Sequence, residues 1–219
     1  MKKIGVVVAM PEEMAHLKSI FNLIAIASNP FDLYQLANDD IYFIVSGIGK
    51  VNAAVACSLL IAQHNVSIIL NVGTAGALNN QLAVGDVVLA NKTIYFDVDN
   101  RISGHQFGQL PNMPLCYTSS FCQEIVSDYY VATGDSFITD AEQLTHQLNE
   151  VINAPFIIDM ESAAVAQTCY LFKIPFVLIK GISDIINTNS LQESRQNRSQ
   201  VMHNIAESTK IMLANRCAR

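Results

Sequence analysis

The stretch "FIIDMESAAVA", residues 156–166, places two carboxylates where an apolar run passes into a segment rich in small residues. Asp159 and Glu161 are the only charged side chains within it. An unpaired charge is costly in an apolar medium, so each carboxylate needs a partner or a function. We interpret residues 154–159 as a buried strand and residues 161–172 as the helix that follows it.

On either side of this junction, short apolar runs alternate with helical patterns. The predicted strands are residues 4–9, 42–46, 67–72, 85–90, 154–159 and 174–181. The first predicted helix begins at Pro11. Two more comprise residues 51–64 and 161–172, and a last helix ends near Asn215. Ser190 and Glu193 have capping-box spacing for the start of this last helix. The alternation predicts an α/β fold with a mostly parallel sheet.

The composition excludes several classes of function. A chain of 219 residues with 51% hydrophobic content predicts a single domain, residues 1–219, with a large core. Its net charge of -6 and lack of a basic block predict no nucleic-acid partner and no anionic membrane partner. No apolar stretch reaches the roughly 20 residues of a membrane span. The low charged fraction, 15%, favours extra surface buried in an oligomer.

The cysteine and histidine patterns predict neither a metal site nor a cofactor. Five scattered cysteines without CxxC pairs indicate no disulfide framework and no zinc site. An odd number of unpaired thiols fits a reducing cytoplasm best. The histidines show no HExxH or similar spacing, so we expect no metal.

Chemistry is expected at the carboxyl ends of the strands, where ligands bind in such sheets. These ends read "AMPEE", "SGIGK", "NVGTAG", "IDMES" and "KGISD". Glu12 and Glu13 either favour the start of a helix, or one of them points into the cleft as a general base. Gly73 and Gly76 are either turn glycines or admit a ligand to backbone N–H groups. For Asp184, which follows an almost wholly apolar strand, a functional role is favoured over capping.

The two carboxylates of the quoted stretch have different expected roles. Glu161 should open a helix, where its ionised form is stabilised. An ionised carboxylate only accepts hydrogen bonds, and its two oxygens suit two neighbouring hydroxyls such as those of a ribose. For Asp159, a structural ion pair with Lys180 is favoured over direct catalysis.

Eight motifs between residues 9 and 184 carry a family resemblance: "AMPEEM", "VSGIGKVNAA", "NVGTAGAL", "VGDVVLA", "FGQLP", "TGDSFI", "IDMESAAVA" and "KGISD". In this order they resemble the 5'-methylthioadenosine/S-adenosylhomocysteine nucleosidases, members of the nucleoside phosphorylase superfamily. The likeness covers nearly the whole chain. It implies a single-domain, three-layer sandwich in which helices flank a central twisted, mixed and mostly parallel sheet.

The resemblance also implies an activity and the residues that carry it. The family hydrolyses the N-glycosidic bond of 5'-methylthioadenosine, S-adenosylhomocysteine or 5'-deoxyadenosine, in the recycling of S-adenosylmethionine by-products. By position, Asp184 should protonate adenine N7, Glu161 should hold the ribose hydroxyls and Glu13 should activate water. The implied substrate-binding residues are Met10, Ile48, Thr74, Phe137, Ile138, Met160, Ser183 and His105.

Positions that differ from the family pattern bear on the nucleophile and on the substrate. Asn71 stands where related phosphorylases have an arginine, which favours water over phosphate as the nucleophile. Thr74 preserves the hydroxyl of a common serine, whereas Lys180 replaces an arginine of different geometry. The segment 102–111 is implied to reach across a homodimer interface. Ser103 and His105 stand there in place of aromatic residues, so the preferred 5' substituent stays open.

Two alternative functions remain open at this point. The first is a related hydrolase or phosphorylase for another purine nucleoside, such as a futalosine-like compound. The second is a nucleoside-binding module that has lost turnover, which the presence of all three acidic positions disfavours.

Overall fold

The computed structural model describes residues 2–78, 81–120, 127–187 and 189–214. The strands are β1 Ile4–Val8, β2 Leu23–Ala27, β3 Leu33–Leu36, β4 Ile41–Val45, β5 Ile68–Ala77, β6 Val87–Tyr95, β7 Tyr117–Thr118, β8 Ser127–Thr133, β9 Phe156–Asp159 and β10 Phe176–Ile185. The helices are α1 Pro11–Ile20, α2 Lys50–His64, α3 Ala141–Val151, α4 Ser162–Phe172 and α5 Ser190–Ala214, with a short 3-10 turn at Arg101–Ser103.

Helices cover both faces of the central sheet. Along β1 the side chains alternate, because successive residues of a strand point to opposite faces. Val7 packs in one apolar cluster with Cys57 of α2 and Cys169 of α4. Val6 packs in a second cluster with Leu17 of α1 and with residues of α5. The continuous apolar run of β1 is therefore explained by burial on both faces, and the layers are helix, sheet and helix.

The sheet is mixed rather than mostly parallel, which corrects the expectation from the alternating pattern. Among the described residues, five strand pairings are parallel and five are antiparallel. The strand order is β10-β6-β8-β9-β5-β1-β4-β3-β2, and β10 also pairs with β5. This additional pairing closes β5, β10, β6, β8 and β9 into a ring. One end of the sheet is therefore a small barrel and the other is an open sheet that ends at β2.

Strands β5 and β10 extend beyond the ends expected from their apolar runs. They were predicted to end at residues 72 and 181, but β5 continues to Ala77 and β10 to Ile185. On one side β5 pairs with β1 as far as Asn71 and with β9 only from Gly76. Between these points β5 lacks a neighbour on that side, and this gap opens a cavity.

Several elements were not predicted from the sequence. They are β2, β3, β7, β8 and α3. Strand β2 is an apolar run, LIAIA, but it lies at the sheet edge and is mostly exposed. The other four lack a long continuous apolar run, and the burial of β8 and α3 is partial. The proposed capping box of α5 is wrong, because the Ser190 hydroxyl accepts a hydrogen bond from the Asn187 N–H instead. The expected end of this helix near Asn215 lies outside the described residues.

The long helix α5 packs closely against β10 because of one glycine. A Cβ atom at Gly181 would lie 2.5 Å from Val201 and 2.7 Å from Ile205. Within the described part of the chain, no helix is both long and apolar enough to cross a membrane.

Candidate active site

A cavity of about 250 Å³ opens at the gap between β5, β9 and β1. Every site residue predicted from the sequence lines it except His105: Met10, Glu13, Ile48, Thr74, Phe137, Ile138, Met160, Glu161, Ser183 and Asp184. They come from the ends of β1, β4, β5, β8, β9 and β10. The carboxyl ends of the strands therefore bring together residues as far apart in the chain as Met10 and Asp184.

Glu13 enters the cavity from the first turn of α1 and is held by hydrogen-bond donors. Its Oε2 accepts from the Met10 N–H at 3.2 Å, which caps the helix. Its Oε1 accepts from the Thr74 N–H and the Thr74 hydroxyl, both at 3.1 Å. Burial raises the pKa of Glu13, while the Thr74 donors and the charge of Lys180 act against the rise. Glu13 thus both caps a helix and faces the cavity, whereas Glu12 is exposed.

Glu161 lies at the junction of β9 and α4, but its side chain turns away from that helix. It makes no capping hydrogen bond to α4 and instead accepts from the Gly49 N–H at 2.9 Å. Burial, followed by repulsion from Asp159, raises the pKa of Glu161. Glu161 stands at the start of α4 as expected, but desolvation outweighs the interactions that favour its ionised form. Gly49 has a φ of 101° and admits this contact.

The ion pair between Asp159 and Lys180 is confirmed. Lys180 Nζ lies 2.9 Å from Asp159 Oδ2, and both side chains are only 1% exposed. Asp159 also accepts hydrogen bonds from the Thr133 hydroxyl at 2.6 Å and from the Ser162 N–H at 3.0 Å. It therefore caps α4 in place of Glu161. The two carboxylates of the quoted stretch have separate tasks, and Asp159 holds the junction while Glu161 faces the cavity.

Asp184 lies near the end of β10, in the wall of the barrel. The Ser183 hydroxyl donates to Asp184 Oδ1 at 2.6 Å. Burial raises the pKa of Asp184, and the hydrogen bonds from Ser183 and Ser190 act against the rise. A Cβ atom at Gly76 would lie 3.2 Å from Asp184 Oδ2, so the glycine in β5 admits the carboxylate. Gly76 is thus a strand glycine that allows close approach rather than a turn glycine.

Two half-exposed apolar side chains flank the cavity mouth. Ile48 is 51% exposed and Phe137 is 48% exposed. Their loops are tied together by Lys50, whose Nζ lies 2.6 Å from Asp97, while its backbone N–H donates to Asp135 at 2.8 Å. The mouth is therefore formed by two mutually anchored loops.

His105 lies outside the cavity of its own chain. It belongs to a protruding segment in which Ile102 is 99% exposed and Ser103 is also exposed. Among the described residues, no group of three or more His, Cys, Asp or Glu side chains could hold a metal ion.

Helix α5 contributes cavity residues that sequence reasoning missed. They are Leu191, Ser194, Arg195 and Arg198. Their spacing of three and four residues places them on one face of a helix. That spacing was readable from the sequence, but nothing in the sequence showed which strand ends this face would cover.

The fold and the site together define a class of α/β enzymes, and comparison with known protein families identifies the same class. Residues 3–214 match the Phosphorylase superfamily. A 5'-methylthioadenosine/S-adenosylhomocysteine nucleosidase of Staphylococcus carnosus (strain TM300) is 37% identical over 203 residues, covering 84% of this chain and 87% of the relative. The chain belongs to the 5'-methylthioadenosine/S-adenosylhomocysteine nucleosidase family.

Solved structures agree with this placement. The nucleosidase of Neisseria meningitidis, in complex with methylthio-immucillin-A, has a TM-score of 0.87 at 29% identity and covers 97% of this chain and 99% of its own. Futalosine hydrolase of Helicobacter pylori has a TM-score of 0.89 at 23% identity and covers 98% of both chains. Because the sequence identity to the futalosine hydrolase is only 23%, this similarity shows the fold alone.

Proposed function

We propose that this protein hydrolyses the N-glycosidic bond of 5'-methylthioadenosine, S-adenosylhomocysteine or 5'-deoxyadenosine, releasing adenine and the 5'-substituted ribose. The observation that carries the proposal is the convergence of Glu13, Glu161 and Asp184 in one cavity, each with a different set of hydrogen-bond partners. Cleavage of such a bond passes through an oxocarbenium-like transition state. It needs an acid at the leaving base and a base for water on the opposite side of the sugar.

Glu13 is suited to be the base. Both of its oxygens accept hydrogen bonds, from the Met10 and Thr74 N–H groups, and these donors favour the carboxylate form. In the proposed reaction Glu13 takes a proton from water as the water oxygen bonds to the anomeric carbon. The neighbouring Lys180 stabilises the same negative charge.

Asp184 is suited to be the acid. Its pKa is raised by burial, so a larger fraction carries a proton near neutral pH. In the proposed reaction Asp184 donates this proton to adenine N7 while the bonding electrons move from the glycosidic bond into the base. Ser183 keeps one oxygen of Asp184 oriented and leaves the other near Gly76.

The remaining residues position the substrate. Glu161 accepts hydrogen bonds from the ribose hydroxyls, and Met160 lies beside it in the cavity wall. Phe137 stacks on adenine and the Ile138 backbone contacts its edge. Thr74, Met10 and Ile48 line the sugar and the 5' group. Water is the proposed nucleophile because Asn71 stands where related phosphorylases have an arginine. The Asn71 side chain is already engaged, since it donates to the Val7 carbonyl and accepts from the Ser162 hydroxyl.

The decisive experiment incubates the purified protein with 5'-methylthioadenosine, first without phosphate and then with it. Release of adenine and free methylthioribose at the same rate in both conditions supports hydrolysis. Strict dependence on phosphate, with methylthioribose 1-phosphate as product, would contradict it. Conversion of a futalosine-like nucleoside with no conversion of methylthioadenosine would favour the alternative function, an enzyme that acts on another purine nucleoside.

We also propose a homodimer, formed through the α2–α4 face. This face exposes large apolar side chains, among them Val51 at 74%, Leu171 at 57% and Tyr170 at 52%. Apolar patches of this kind mark interaction sites. A second copy seated here would let the exposed segment at Ile102 and His105 reach the partner's cavity. Light scattering that finds a monomer at micromolar concentration would refute the dimer.

A cytoplasmic location fits the chemistry of the cysteines. The thiols of Cys57 and Cys169 lie 3.8 Å apart, within hydrogen-bond distance for sulfur, and are not joined by a disulfide. Such a pair stays reduced in a reducing compartment. Cys122 and Cys217 lie outside the described residues.

A further inference from the structure

One wall of the cavity carries two arginines to which the proposed reaction assigns no role. Arg195 and Arg198 lie three residues apart on α5, and both line the cavity. The other α5 residues of this wall, Leu191 and Ser194, offer one apolar side chain and one hydroxyl. This wall is therefore cationic in a protein whose net charge is -6.

Both arginines lack a partner among the described residues. None of the ion pairs found there involves either guanidinium. In the described part of the chain, Arg198 Nε is the one buried side-chain nitrogen or oxygen without a hydrogen-bond partner. By contrast, Arg101 outside the cavity pairs with Asp99 at 2.6 Å. An unsatisfied buried donor is unfavourable, so Arg198 is arranged to receive an acceptor from within the cavity.

The position of the arginines along α5 indicates which part of a nucleoside they would meet. Ser190, at the start of the helix, lies beside the Asp184 end of the cavity, where its hydroxyl donates to the Ile185 carbonyl. At a rise of 1.5 Å per residue, Arg195 and Arg198 lie about 8 to 12 Å further along the helix axis. They are therefore displaced from the end that would hold the base.

Neighbouring contacts show the direction of this displacement. Met202 lies one helical turn after Arg198 and packs in the same apolar cluster as Met14 of α1. Residues four apart lie on one face of a helix, so Arg198 continues the face of α5 that carries Met202, and helices α1 and α5 are in contact. Met10 and Glu13, at the start of α1, line the same cavity as Arg198. This is the side at which the sugar and its 5' substituent are placed in the proposed reaction.

We infer that Arg195 and Arg198 form an anion subsite that binds a carboxylate at the end of the 5' substituent. The inference rests on the proposed function and narrows its substrate class to nucleosides with an extended, acidic 5' group. Guanidinium–carboxylate pairs combine charge with two parallel hydrogen bonds and are stronger than neutral ones. A methylthio group is too short and lacks the charge to use this subsite.

The test compares two substrates that differ only in charge. They are 5'-deoxy-5'-(3-carboxypropylthio)adenosine and its primary amide, and the measured quantity is the ratio of their kcat/KM values. In the wild type the carboxylate should be favoured by about 10-fold to 100-fold, the range expected of a hydrogen-bonded charge pair. Arg195→Gln and Arg198→Gln should each lower the ratio, and the double variant should bring it close to one. Because the ratio is measured within one variant, a reduced folded fraction cancels.

Lys210→Gln is the matched control, since it removes one positive charge from an exposed position of the same helix. It should preserve the wild-type ratio. A wild-type ratio near one, or a ratio that the double variant preserves, would overturn the inference. A phosphate-stimulated rate that disappears in the double variant would also overturn it, because the arginines would then serve the nucleophile.

A separate measurement distinguishes this inference from the proposed function. If 5'-methylthioadenosine is not hydrolysed, the proposed function fails, and calorimetric binding of the same carboxylate and amide tests the subsite by itself. Tighter binding of the carboxylate that the double variant loses would still support the subsite. Equal binding of the two compounds would refute it.

Discussion

Removal of the positive charge from the buried pair should destabilise the protein more than any surface change. In Lys180→Met the side chain is one atom shorter but keeps its apolar packing, while Asp159 loses its counter-ion. At the observed separation of 2.9 Å, Coulomb's law with an effective dielectric constant of about 20 gives an attraction of about 6 kcal/mol. Part of this attraction is offset by the desolvation of both groups. The expected loss in the free energy of unfolding is therefore about 3–5 kcal/mol.

Urea unfolding followed by circular dichroism measures this loss. The double variant Lys180→Met/Asp159→Asn should recover part of the stability, since Asp159 no longer carries an unpaired charge, although Glu13 and Glu161 still lose the attraction of Lys180. A double-mutant cycle should give a coupling of at least about 2 kcal/mol. Lys180→Arg, which keeps the charge, is the control and should lose less than Lys180→Met. If Lys180→Met unfolds within about 1 kcal/mol of the wild type, the pair does not hold the β9–α4 junction, contrary to our reasoning.

Three further predictions concern the cavity. Asp184→Asn should keep the wild-type unfolding midpoint within a few degrees but lower kcat by about 10²–10⁴-fold, and near-normal turnover would rule out Asp184 as the acid. Because burial raises the pKa of Asp184, the active protonated form should persist above the usual carboxyl range. In a stopped assay across pH, kcat/KM should fall as the pH rises through this raised pKa, and a profile flat on its alkaline side would contradict the assignment. Gly49→Ala should lower kcat/KM about tenfold or more, because the substitution strains the loop whose N–H binds Glu161. A φ of 101° costs about 1–3 kcal/mol for a residue with a Cβ atom. An unaffected variant would show that the Gly49–Glu161 contact is dispensable.

The pKa shifts also suggest a conflict between stability and function. In the folded state burial raises the pKa values of Glu13, Glu161 and Asp184 above their ordinary values. The folded state therefore binds these protons more tightly than the unfolded chain. Their contribution to stability is greatest below the ordinary carboxyl pKa and is lost as the pH rises through the raised values. Charges needed for catalysis near neutral pH are thus maintained at a cost to the fold.

Local sequence determined the buried strands and helices and the carboxylates of the site. The apolar runs of β1, β4 and β5 and the small-residue helices α2 and α4 were readable because burial imposes a local periodicity. The carboxylates at strand ends were readable because polar groups stand out at the edge of apolar runs. Asp159 and Lys180 could be paired in advance, since a buried charge on one strand needs a partner on a neighbouring one.

Tertiary structure alone decided how these elements meet. The ring of β5, β10, β6, β8 and β9 depends on pairings between distant strands, which no local pattern encodes. The gap in β5 between Asn71 and Gly76 arises from that closure and creates the cavity. For the same reason the direction of Glu161 and the placement of Arg198 could not be predicted. Periodicity shows which face of an element is buried, whereas the element that packs on that face depends on contacts between distant parts of the chain.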